Sequence, residues 1–143
     1  MPFLIGTGIA LAVGVFGTIT ELDRERAFYP TALVVIASYY ILFAAMAGSR
    51  SALGPELLLF SLFAAMAALG FRHDLRIVIA GLVAHAMLDY FHGGIISNPG
   101  VPSWWPAWCA GYDVAAPAYL AVLIWRGRVP ARPIGRDQVR PKT

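Results

Sequence analysis

The chain has 143 residues, 59% of them hydrophobic and only 13% charged, against about 25% charged in soluble domains, which excludes an ordinary water-soluble fold. A formal charge of +3 invites nucleic acid as a partner, yet six of the eleven basic residues crowd into the last eighteen positions, from Arg126 to Lys142. Such a juxtamembrane cluster orients and anchors a chain on anionic lipid, so the partner it indicates is the bilayer and not nucleic acid.

In chain order, five apolar stretches approach the roughly 17–25 residues that cross the hydrocarbon. They cover about 3–20, 30–47, 55–71, 75–91 and 107–125. The first has no basic segment ahead of it and no small-residue cleavage site, so it reads as a retained span rather than a signal peptide. It carries Gly6, Ala10, Gly14 and Thr18 at every fourth position, a small-residue stripe that lets helix backbones approach closely. The next connection, ELDRERAFY, alternates acids and arginines and reads as a solvated, self-neutralising turn. Pro30, Pro55 and Pro106 each stand where a span opens, the position that tolerates proline's missing N–H. His73 and Asp74 fall in the short turn between the third and fourth spans. The loop 93–106, GGIISNPGVPSWWP, is irregular and stands over the end of the fourth span as a connector or a lid. Trp104, Trp105 and Trp108 suit an interfacial aromatic belt. The fifth span repeats the small-residue stripe at Ala107, Gly111 and Ala115.

The arrangement expected is an all-α, five-helix transmembrane bundle over residues 1–125, followed by a disordered basic tail over 126–143. Lys and Arg mark the cytoplasmic side. Arg24, Arg26, Arg72, Arg76 and the six basic tail residues share one side, and Arg50 stands alone on the other. The N-terminus is therefore expected outside and the C-terminus in the cytoplasm, in a bacterial inner (plasma) membrane. Ten of the eleven basic residues are arginine, which together with the abundant alanine fits a GC-rich bacterial source. The one cysteine, Cys109, permits no intrachain disulfide and reads as a small core residue.

The chemistry-bearing residues lie inside the spans. His85, Asp89 and His92 fall within about 60° of one another at 100° per residue, on one face of the fourth helix. Asp113 is on the fifth helix with Cys109 one turn away, and Tyr40 is on the second. Counting from the helix ends puts His85, Asp89, Asp113 and Tyr40 in one layer of the outer half of the bilayer, with His92 and Glu56 above it and Glu56 at the surface. A carboxylate at this depth costs about 2.5–3.5 kcal/mol on insertion scales, so it persists when paired or functional.

Three readings of this cluster compete. In the first, His85, Asp89, His92 and Asp113 ligate a divalent metal ion, zinc foremost, whose charge two aspartates neutralise. Asp113 then doubles as a general base toward metal-bound water, Tyr40 orients or donates a hydrogen bond, and a lipid-like substrate arrives from the bilayer. In the second, a non-enzymatic membrane subunit uses the same polar layer to fix helix packing or bind a partner. The third is a proton or ion path, which five short helices enclose only as a homo-oligomer.

The segments FYPTALVVIASYY, HAMLDYFH and NPGVPSWWPAWCAGYD resemble a family of small bacterial multi-pass membrane proteins, a domain of unknown function. The likeness covers about 21–125 and implies a membrane fold without an activity. In ligand chemistry the cluster is also similar to intramembrane metal hydrolases of the alkaline-ceramidase type. Those have two more helices and a third histidine ligand, so no catalytic role carries over. Diiron lipid hydroxylases and desaturases need a far larger histidine set than the three present here.

Overall fold

The computed structural model describes residues 1–133, and these are all-helical. The helices are α1 (Pro2–Ile19), α2 (Phe28–Met46), α3 (Arg50–Arg72), α4 (Arg76–Ile95) and α5 (Trp105–Trp125), with a 3-10 turn at Leu22–Arg24 and no strand. All five helices are long and apolar enough to cross a membrane. Large apolar side chains face outward, among them Leu58, Met87 and Trp125, as a lipid solvent requires. Short connections give an up-and-down bundle with two ends. The tail-distal end holds the 47–49 and 96–104 connections, and the tail-proximal end holds the 3-10 turn, the 73–75 turn and residues 126–133.

α1 packs on α5, α5 on α4, α4 on α3 and α3 on α2, with α2 also reaching α4. The α1–α5 seam is built from the two small-residue stripes. A Cβ on Gly6 would fall on the carbonyl of Trp108, and one on Gly111 would fall on the carbonyl of Phe3. Backbone thus meets backbone, and Thr7 Oγ1 donates across the seam to the Gly111 carbonyl at 3.2 Å. In lipid, this kind of close packing replaces the hydrophobic effect as the associating force.

Several helix ends differ from the sequence expectation, each for a local reason. α3 begins at Arg50 rather than Pro55, because the Ser49 hydroxyl caps it by accepting from Ala52 N–H at 3.4 Å. Pro55 therefore lies inside the helix, where it costs the Ser51 carbonyl its i+4 partner. Gly48 takes φ +65° just beyond α2. There its N–H bonds the Ala45 carbonyl while Ser49 N–H bonds Ala44, a Schellman closure that needs a left-handed residue. Gly127, at φ +68°, closes α5 in the same way. α4 runs on through Gly93 and Gly94 to Ile95, a turn beyond the expected end, keeping His92 on the helix. Trp105, at the start of α5, turns inward rather than toward lipid: it is 8% exposed and packs its ring against Tyr39 and, edge-on, Phe43 of α2.

The start of the tail is built into the fold, contrary to the disorder expected of it. Val129 is buried, and Leu75 N–H donates to the Ala131 carbonyl at 2.8 Å. Arg26 bonds the carbonyls of Pro130 and Ala131 with one guanidinium nitrogen and those of Gly70 and Phe71 with the other. The run of Pro and Arg hides this anchoring, since the acceptors are backbone atoms. The remainder of the expected disordered tail, 134–143, lies outside the described residues.

Candidate functional site

The cluster is assembled by helical periodicity on α4 and by the crossing of α2, α3 and α5 over that face. His85 and Asp113 are 0% exposed, Glu56 1%, and Asp89, His92 and Tyr40 2% each. Tyr40 donates its hydroxyl to Asp89 Oδ1 at 2.6 Å, tying α2 to α4. His85 Nδ1 stands 2.8 Å from Asp113 Oδ2, tying α4 to α5, and 3.6 Å from Asp89 Oδ2. With ionised carboxylates and a neutral imidazole, the Nδ1–H is the donor and Nε2 carries the lone pair. Phe63 of α3 closes over the His85 ring edge-on, with centroids 4.8 Å apart.

Cys109 completes this inner group. Its Sγ is 3.6 Å from Asp113 Oδ2, one turn earlier on the same face of α5. His85, Asp89, Cys109 and Asp113 each present one ligand atom within 4.8 Å of all the others, so the four could hold a metal ion. Donors around tetrahedral zinc stand about 3.3–3.8 Å apart. From His85 Nδ1, Asp89 Oδ2 at 3.6 Å falls in that range, and Asp113 Oδ2 at 2.8 Å is a hydrogen bond shorter than it; Cys109 Sγ to Asp113 Oδ2, at 3.6 Å, also falls in it. His85 would ligate through Nδ1 once that nitrogen gives up its proton, or through Nε2 with the Nδ1–H kept on Asp113, and separations of up to 4.8 Å would contract by about an ångström. Among the described residues, His85 Nε2, Asp89 Oδ2 and Asp113 Oδ1 are buried polar atoms without a hydrogen-bond partner. With the carboxylates ionised and the imidazole neutral, all three bear lone pairs, which is the electrostatic situation a cation relieves.

His92 goes elsewhere. Its Nε2 is 2.9 Å from Glu56 Oε1, and its ring stacks on Tyr40 with centroids 4.0 Å apart. It shares the α4 face with His85 and Asp89, as its spacing requires, but sits a turn further out and outside the four-residue ligand group. Glu56, expected at the surface, is buried because α3 starts before Pro55 and carries it into the second turn. Asn98 of the 96–104 loop joins this outer group, donating to Glu56 Oε1 at 2.8 Å and to the Tyr40 carbonyl at 3.0 Å. Gly100 presses the same loop against α2, where a Cβ would collide with the Phe43 carbonyl. Two hydrogen-bonded groups result, an inner one of Tyr40, Asp89, His85, Asp113 and Cys109 and an outer one of Glu56, His92 and Asn98. They are linked by the Tyr40–His92 ring stack.

Sequence reasoning found His85, Asp89, Asp113 and Tyr40 from depth and spacing. It underrated Cys109, whose i, i+4 relation to Asp113 was the available signal, and it passed over Asn98, for which loop sequence holds no comparable sign. No protein-family model, curated protein or solved structure matches the chain, so the chemistry of the site itself carries the functional assignment.

Proposed function

We propose that this is a multi-pass membrane protein of the bacterial plasma membrane that holds one divalent metal ion, zinc foremost, in the bundle half remote from its tail. The observation that carries the reading is the trio of buried, partnerless lone-pair atoms on His85, Asp89 and Asp113, residues that lie within ligand distance of one another. Packing alone gives no reason to bury them. Polar pairs between membrane helices contribute about 0.6 kcal/mol on average, whereas an unsatisfied buried acceptor costs about 1–3 kcal/mol. His85, Asp89 and Asp113 are the ligands in this proposal. Two carboxylates cancel the dipositive charge, and the neutral Cys109 thiol donates to Asp113, since a thiolate would leave net negative charge in a medium that penalises it. His92, bonded to Glu56, is not among the ligands.

Zinc held by these three ligands would supply a water acidified to a pKa of about 7. Asp113 would serve as the base toward it, and Tyr40 holds Asp89 in position through its hydroxyl. A lipid-like substrate is the finer part of the proposal. Its support is the depth of the site and an apolar groove of about 530 Å³ on the lipid-facing side of α4 and α5, lined by Val83, Met87, Tyr90, Val114 and Pro117 among others. The excess of basic residues on the tail side supports a cytoplasmic tail and a site in the outer leaflet.

A second reading has its own observation. The Tyr40–Asp89, His85–Asp113 and His92–Glu56 contacts already join four helices without a metal ion, as a purely structural polar layer would. Elemental analysis of detergent-purified protein separates the two. The proposal expects about one zinc per chain in the wild type and none in His85→Ala. A metal-free wild type, with a His85→Ala variant that merely melts earlier, establishes the structural layer instead.

A further inference from the structure

We infer that the cavity beneath the 96–104 loop is the aqueous entrance to the buried site, through which water and a hydrated divalent cation arrive, and that the Glu56–His92 pair is its inner end. The inference deepens the metal reading above and rests on it for the identity of the cation, though not for the presence of water.

The cavity encloses about 300 Å³ at the tail-distal end, and its lining includes His92, Ser97, Asn98 and Ser103. A water molecule occupies about 30 Å³ in the liquid, so the volume holds a short file of them, and the walls offer hydroxyl, amide and imidazole partners. The groove on the lipid-facing side of α4 and α5 is larger, but none of His85, Asp89, His92 or Asp113 is among its lining residues. Of these two spaces, only the cavity touches a member of the polar cluster. Its roof is fixed in place by Asn98, which bonds both Glu56 and the Tyr40 carbonyl, and by Gly100 against α2. The entrance is therefore a standing feature of the fold. From His92 the next polar groups inward are Glu56, 2.9 Å away, and Tyr40, stacked on the imidazole; Tyr40 in turn reaches Asp89. A cation leaving water exchanges hydration oxygens for ligand oxygens and nitrogens one at a time. The His92 imidazole on the cavity wall, with the Glu56 carboxylate 2.9 Å behind it, is suited to that first exchange.

The chain contains three histidines, so labelling histidine alone gives a spectrum simple enough to test the route. Magnetisation transfer from mobile water, measured on full-length protein in lipid nanodiscs, should reach the rings of His92 and of His73 in the 73–75 turn strongly and that of His85 much more weakly. A bulky maleimide adduct on Ser97→Cys or Ser103→Cys should abolish the His92 signal and leave that of His73. The same adduct on Val83→Cys, in the lipid-facing groove, should change neither. The entrance is overturned if His92 is as dry as His85, or if only the groove adduct dries it. With cobalt(II) as the probe, uptake by metal-free protein should slow about tenfold or more in the cavity adducts, at unchanged final stoichiometry. That stoichiometry arm depends on the metal assignment, so wild type that binds no cobalt while His92 remains hydrated refutes the metal and leaves the water entrance intact. Cobalt uptake at an unchanged rate through a blocked cavity refutes the entrance and leaves the metal.

Discussion

Tyr40 gives its hydroxyl proton to Asp89 at 2.6 Å, and no other donor serves that carboxylate oxygen among the described hydrogen bonds. Tyr40→Phe keeps the ring stack on His92 and removes only this donation. A buried acceptor stripped of its partner costs about 1–3 kcal/mol, and loss of a group that orients a metal ligand lowers affinity about 10–100-fold. Competition with a zinc chelator should therefore show weakened binding in Tyr40→Phe, and an unchanged affinity would contradict the role given to Tyr40. Asp113→Asn keeps the side-chain shape while removing one of the two charges that neutralise the ion, so zinc content should fall to background. At this scale the sequence was informative wherever periodicity decides. Residues three and four apart on a helix share a face, and that placed His85, Asp89 and His92 together. It was uninformative where a helix start decides. Pro55 marked the wrong boundary because Ser49, a better cap, lay one turn and more ahead of it, and Glu56 was misplaced with it.

At the scale of elements, the α1–α5 seam depends on the absence of two side chains. Gly6→Ala or Gly111→Ala sets a methyl against a carbonyl. Overpacking of this kind costs about 1–3 kcal/mol, so the thermal midpoint should drop, whereas Gly8→Ala, which meets open space, should leave it unchanged. Equal effects at Gly6 and Gly8 would refute the close approach. The stripes at Gly6, Ala10 and Gly14 and at Ala107, Gly111 and Ala115 were legible because small residues at every fourth position have few other uses in a lipid-exposed helix. The strap formed by 126–133 was not legible, because Arg26 recognises backbone carbonyls and no side-chain pattern announces them. Arg26→Ala should speed tryptic cleavage after Arg128, and Arg26→Lys should restore little of the protection, since a single ammonium cannot fork to two pairs of carbonyls. The strap also responds to acid. Asp74 is held below the ordinary carboxylate range chiefly by the Arg76 backbone N–H, with Arg132 adding to the effect. A carboxyl with a depressed folded-state pKa contributes stability above its unfolded pKa and loses it as pH falls through the folded value. Cleavage after Arg128, assayed with an acid-tolerant protease of matching specificity, should therefore accelerate as pH falls from the ordinary carboxylate range through the lower folded-state value of Asp74, and modestly, because Arg132 is exposed.

For the whole molecule, five apolar helices were readable from hydropathy alone, because a backbone in lipid must satisfy its own hydrogen bonds and so declares itself in long apolar runs. Which helix touches which was not readable from hydropathy, since the same apolar surface serves lipid and protein alike. Orientation rests on charge asymmetry. Cysteines placed at Ser51 and at Thr143 should react with a membrane-impermeant reagent on intact cells at the first position and only after lysis at the second; the reverse pattern would invert the topology and move the site to the cytoplasmic leaflet. The central claim is the metal. Anomalous scattering at the zinc edge, from crystals of the purified protein, locates the ion without assuming its ligands. The account predicts a single peak about 2.0–2.2 Å from a nitrogen of His85 and from carboxylate oxygens of Asp89 and Asp113. No peak at that position in well-ordered density, with His85 still hydrogen-bonded to Asp113, would contradict it.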